Sequence, residues 1–130
     1  MRLLLDTNVL LWQLDMVDGN KLGPKSARLI KEASVVYVST ISIIEMQIKT
    51  MSGKLDAPKD CVSMITVAGD KVLPFDGESA DAIRLFSKLT RHDPFDRMLL
   101  AQAYSENLTL LTADAALLRL EFGYVTDARK

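Results

Sequence analysis

Met1-Arg-Leu-Leu-Leu-Asp6-Thr-Asn8-Val-Leu-Leu-Trp12 is the stretch around which the fold is organised. Leu3-Leu4-Leu5 is a short, uniformly apolar run, the pattern of a strand covered on both faces. It stops at Asp6-Thr7-Asn8, small polar residues that suit a strand end and a helix start. Val9 to Trp12 then returns to apolar character. A carboxylate at the tip of a central strand sits where open α/β sheets place their ligands.

Working outward, helical and strand patterns alternate along the chain. Pro24 opens a helix to Ala33, with Ala27, Ile30 and Ala33 at inward spacing. Val35 to Ser39 is a β-branched strand. Ser39, Thr40 or Ser42 caps a helix through Ile43 to Met51, which Gly53 ends. A helix is expected over Pro58 to Ala68, with Val62, Ile65 and Cys61 inward. Lys71 to Phe75 is a weaker strand, and Pro74 assigns it to an edge or a strand end. Asp76-Gly-Glu-Ser79 starts a helix through Ala80, Ile83, Leu85 and Leu89. Asp93-Pro94 starts another, carrying Phe95, Met98, Leu99, Ala103 and Tyr104. Leu108 to Thr112 reads as a strand, Ala115 to Leu120 as a short helix, and Phe122 to Val125 as a last edge strand. This rhythm predicts a three-layer α/β/α sandwich around a parallel sheet of four to five strands, with the first strand central.

The 130 residues fit one domain, 1–130, with 48% apolar and 25% charged residues, values of a soluble globular chain. A net charge of −1 gives no bulk positive field, so contact with a nucleic acid would need a local basic patch or metal ions. One cysteine, Cys61, permits no internal disulfide and reads as a small buried apolar residue. No run approaches a membrane-spanning length, and the expected location is the cytoplasm.

Four acids stand out. Asp6 ends the first strand. Glu45 shares a helical face with Ile41 and Ile48, while Ser42, Gln47 and Lys49 are expected to face water. Glu45 reads either as a paired or metal-bound buried carboxylate or as an outward-reaching residue at the rim of that face. Asp96 falls in the first turn of its helix, on the face of Leu99, Leu100 and Ala103, whereas Asp93 reads mainly as the cap. Asp114 follows a strand and doubles as a candidate cap. All four are expected at the same sheet edge. Clustered carboxylates raise one another's pKa unless cations neutralise them. Oxygen ligands without thiolate select Mg²⁺ or Mn²⁺ over Zn²⁺ and suit phosphodiester hydrolysis by metal-activated water. His92, the lone histidine, reads as a surface residue before a helix.

Leu-Leu-Leu-Asp6-Thr-Asn8, Val-Ser-Thr-Ile-Ser-Ile-Ile-Glu45, Asp93-Pro-Phe-Asp96-Arg97-Met-Leu-Leu-Ala-Gln-Ala103 and Leu-Leu-Thr112-Ala-Asp114 together resemble the PIN domain. More narrowly they resemble the VapC-type toxins of toxin–antitoxin pairs. The motifs stand in the family's order and run from residue 3 to residue 114. The resemblance implies a metal-dependent endoribonuclease with Asp6, Glu45, Asp96 and Asp114 around Mg²⁺ or Mn²⁺. It implies supporting roles for Thr112, whose hydroxyl backs the site, and Asn8, whose amide steadies the first acid, with Asp93 and Arg97 beside them. It further implies an RNA substrate, a small DNA-binding antitoxin as partner, and a homodimer. Lys49, Lys54, Lys88, Arg91 and Arg97 are candidates to ring the site. Rival readings are a PIN nuclease of RNA processing, a phosphoryl-transfer protein with an aspartyl intermediate on Asp6, and a non-catalytic module. The phosphoryl-transfer reading wants a second acid where Asn8 stands, and the non-catalytic one wants an acid missing.

Overall fold

The structure, a computed structural model, describes residues 1–89 and 91–130. The chain runs β1 (Arg2–Leu5), α1 (Thr7–Gln13), α2 (Pro24–Glu32), β2 (Val35–Ser39), α3 (Thr40–Met51), α4 (Cys61–Val67), β3 (Lys71–Leu73) and α5 (Gly77–Ala82). A 3-10 helix over Ile83–Leu89 leads to α6 (Pro94–Ser105), β4 (Thr109–Thr112), α7 (Ala115–Leu118) and β5 (Val125–Asp127). All strand pairs are parallel, in the order β3-β2-β1-β4-β5. β1 is therefore the middle strand, as its apolar sequence predicts.

Alternation along β1 builds both layers. Leu3 and Leu5 pack with Val9, Leu10, Val36, Val38, Met46 and Ile65 on one face. Leu4 packs on the other with Leu99, Leu100, Leu110 and Leu117. None of the three leucines is exposed to solvent, and full burial of each is worth roughly 1.5–3 kcal/mol. Covered on both faces, the sheet is the centre of an α/β/α sandwich.

Several boundaries and faces differ from the sequence reading. On α2 the inward residue is Ser26, with Leu29, Ile30 and Ala33 half-buried beside it, and Ala27 faces out. Ser26 is drawn in by the C-terminal segment: its hydroxyl donates to the Asp127 carbonyl and its amide to that of Lys130. Gly23 lets that segment approach, because a Cβ there would lie 2.2 Å from the Lys130 carbonyl carbon. α4 is shorter than expected and buries Cys61 and Ile65, leaving Val62 exposed. Cys61 is held by local contacts, donating to the Pro58 carbonyl.

Asp76 does cap α5, accepting from the Ser79 amide at 2.9 Å. The helix then tightens into the 3-10 segment and kinks at Phe86, whose ring packs edge-on against Phe122 and Tyr104. Leu85 turns outward as a result. The last strand begins at Val125, later than expected, with Phe122 and Tyr124 spent on aromatic stacking. β3 is an edge strand ending before Pro74, as the missing donor requires. Gly53, at φ +77°, follows the end of α3 in a left-handed conformation. Asp70, just before β3, is buried beside Gln13 of α1, and its Oδ2 has no hydrogen-bond partner. Among the described residues no helix is long and apolar enough to cross a membrane.

Candidate functional site

Strand order reverses direction at β1: the chain goes from β1 outward to β2 and β3, then returns to place β4 on β1's other side. In open parallel sheets the crevice outside the C-terminal strand ends at such a reversal is the place for a ligand. Asp6 stands there. Its backbone amide donates to the Leu111 carbonyl of β4 at 3.0 Å, and its carboxylate caps α1 by accepting from the Asn8 amide at 3.2 Å. β1 and β4 are in register through Leu5 and Leu111, so the next residues, Asp6 and Thr112, fall side by side. The Thr112 hydroxyl accordingly donates to Asp6 Oδ2. The same oxygen of Thr112 accepts from the Asp114 amide at 3.0 Å. Asp114 Oδ1 caps α7 through the Leu117 amide at 2.9 Å, and its Oδ2 turns toward His92. Asp114 is both cap and site wall.

Glu45 comes from α3. It is buried, not outward-reaching at a rim: Lys49, one turn on, meets its Oε2 at 2.6 Å, while its Oε1 has no hydrogen-bond partner. The inner face of α3 is Ile41, Ser42, Glu45 and Met46, rotated from the expected one. Ile48 is exposed. Ser42 is buried because the Thr7 hydroxyl reaches it at 2.9 Å, a bond that ties the start of α1 to α3.

α6 brings the remaining acid. Asp93 is its cap, accepting from the Phe95 amide at 2.8 Å, and Asp96 occupies the first turn. His92 is not a free surface residue. Its Nε2 lies 3.2 Å from Asp96 Oδ2 and 3.4 Å from Asp114 Oδ2, so it joins α6 to the segment after β4. Arg97, by contrast, donates to the Leu89 carbonyl at 3.2 Å and braces the approach to α6. Asn8 contributes its backbone amide, and the residue itself is exposed.

Charge distribution distinguishes this edge. Burial, partly offset by Thr112 and Asn8 and reinforced by Glu45 and Asp114, pushes Asp6 up to about 6. Asp96 is pushed up to about 8, by burial first and then by the charges of Asp6, Asp114, Asp93 and Glu45. Asp6 thus feels Glu45 and Asp114, and Asp96 feels all three of the other acids. Lys49 answers them: although burial works against its charge, contact with Glu45 and the fields of Asp93 and Asp96 hold its pKa above the usual lysine value.

His92 is the residue whose placement the sequence did not convey, while Lys49, a candidate to ring the site, is there through its pairing with Glu45. Both had a local signal, since each is four residues from the acid it contacts on the same chain segment. A divalent cation fits this donor set. It would let Asp96 ionise at neutral pH, and it would give Glu45 Oε1 the partner it lacks. An open groove of about 490 Å³ between α5 and the end of α6, lined by Glu78, Asp81, Arg84 and Tyr104, includes none of these acids. It lacks their convergence.

Residues 3–123 match the family described as PIN domain. No curated protein matches the chain. Among solved structures, the chain is similar to VapBC2 from Rickettsia felis bound to a DNA fragment from their promoter, with a TM-score of 0.66 and 16% identity over 98% of this chain and 100% of that one. It is similar to DNA-bound VapBC from Salmonella typhimurium, with a TM-score of 0.63 and 21% identity over 94% and 92%. It is also similar to FitAcB from Neisseria gonorrhoeae, with a TM-score of 0.62 and 25% identity over 97% of each chain.

Proposed function

The chain belongs to the PIN-domain family, and from that premise we propose that it is a metal-dependent endoribonuclease, the toxin of a VapBC-type toxin–antitoxin pair. The observation that carries the proposal is the gathering of Asp6, Asp96 and Asp114 outside the strand-order reversal, with Thr112 bound to Asp6, His92 between Asp96 and Asp114, and the buried Glu45 left with one oxygen unpaired. The similarity to VapBC2 and to a toxin–antitoxin complex from Klebsiella pneumoniae supports an antitoxin as partner. On this reading residues 1–130 act as one cytoplasmic domain that works as a homodimer on RNA.

Asp6 and Asp96 are the principal metal ligands, with Glu45 and Asp114 completing the pocket. A bound Mg²⁺ or Mn²⁺ supplies an acidified water and a counter-charge for the phosphate. The chain's own residues do the positioning. Thr112 and the Asn8 amide take one oxygen each of Asp6 and fix its orientation. The Leu117 amide anchors Asp114 by Oδ1 and leaves Oδ2 toward the site. Lys49 neutralises one Glu45 oxygen and leaves the other free. An uncompensated acidic edge would repel a phosphodiester, so RNA binding and cation binding are coupled.

The test is cleavage of RNA by the purified protein in Mg²⁺ or Mn²⁺, its loss in EDTA, and its return on adding either ion. Undiminished cleavage in EDTA overturns the metal assignment.

A further inference from the structure

His92 stands outside the carboxylate quartet, yet its Nε2 faces Asp96 Oδ2 at 3.2 Å and Asp114 Oδ2 at 3.4 Å. These three atoms come from the turn before α6, from α6 itself and from the segment after β4, and all lie within 4.8 Å of one another. A nitrogen that carries at most one proton cannot serve two carboxylate acceptors fully. A six-coordinate cation with bonds near 2.1 Å, however, holds neighbouring ligand atoms about 3 Å apart, close to the two distances from His92. The backbone keeps the ring in place: the His92 amide donates to the Leu89 carbonyl at 2.9 Å, and Asp93 caps α6 immediately after it.

A second observation points to a cation at this edge. Glu45 Oε1, on α3, is buried without a hydrogen-bond partner, and the Glu45 charge is felt at both Asp6 and Asp96. A buried carboxylate oxygen without a donor is costly unless a positive charge faces it.

We propose that His92 is a direct ligand, with Asp96 and Asp114, of a divalent cation at this edge, and that its nitrogen makes the site prefer Mn²⁺ to Mg²⁺. Imidazole binds first-row transition ions well, while Mg²⁺ favours an all-oxygen, water-rich shell. The inference rests on the metal-dependent reading of the acidic edge and adds the ion's identity to it.

His92 is the chain's one histidine, which gives the test a unique reporter. Untagged protein loaded with Mn²⁺ is examined by pulsed electron paramagnetic resonance, once with natural-abundance nitrogen and once with ¹⁵N-labelled histidine. The expected result is a nitrogen modulation on Mn²⁺ that changes with the label and disappears in His92→Gln. Calorimetry should show that variant losing roughly 10–100-fold in Mn²⁺ affinity, with less than about a threefold change for Mg²⁺. The labelled wild-type protein needs no variant to fold. Mn²⁺ binding without histidine nitrogen coupling overturns His92 ligation and leaves the carboxylate nuclease reading standing. No Mn²⁺ binding, with RNA cleavage that persists in EDTA, overturns both.

Discussion

Asp6 and Asp70 are both buried carboxylates, and both are pushed up to about 6, one at the C-terminal end of the central strand and the other just before an edge strand. Their surroundings differ. Asp6 accepts from Thr112 and Asn8 and feels the charges of Glu45 and Asp114. Asp70's shift comes from burial, offset by Gln13. Burial alone gives an acid that weakens the fold; burial with convergent acids gives a place that calls for a cation. A displaced pKa is therefore a weaker pointer to function than the company the group keeps.

The largest expected effect that tests this contrast is at the acidic edge. Asp96→Asn should lower RNA cleavage by at least ~10²-fold while leaving the melting temperature equal or higher, since a buried amide never carries the charge that burial and the neighbouring acids oppose. A variant that melts early and still cleaves would reverse the comparison.

Asp70→Asn should do the opposite, leaving cleavage intact and stabilising the fold by ~1–3 kcal/mol at pH 7 to 8. The sign follows from the folded-state pKa of about 6, above the ordinary 3.8. Between those values the folded chain binds the proton more tightly than the unfolded one, so the wild type gains stability as pH falls through 6. The difference between wild type and variant should therefore shrink toward zero near pH 4, read by thermal melts across that range. A constant difference would mean that Asp70 is not charged and penalised at neutral pH.

The smallest effect expected is at Thr112→Val, which keeps the shape and removes the hydroxyl from Asp6. Cleavage at neutral pH should fall by about tenfold and stability by ~1 kcal/mol, with the rate partly recovered at higher pH as Asp6 ionises. No change in the pH profile would detach Thr112 from Asp6.

What the sequence conveyed and what it did not follow the range of the interactions involved. β1, β2, the Pro24 helix and the Asp93-Pro94 start were legible because apolar runs and caps are written in neighbouring residues. The inner face of α3 was not, because Ser42 is buried through Thr7, 35 positions away. Ala27 was misplaced because Ser26 answers to Asp127 and Lys130. The break of the helix after Ala82 depends on an aromatic cluster whose other members lie beyond residue 100. Placing four acids at one edge needed only the parallel topology. His92 needed Asp114, which only the fold brings near it.

The bond between Thr112 and Asp6 joins residues 106 positions apart. During synthesis β1 emerges before β4, so the β4 side of β1 stays open until Thr109–Thr112 has been made. A nascent chain thus holds Asp6 and Glu45 without the hydroxyl that aims Asp6 and without Asp114. The acidic edge is thus completed only after β4 has joined β1, which separates the making of its first two acids from the assembly of the whole.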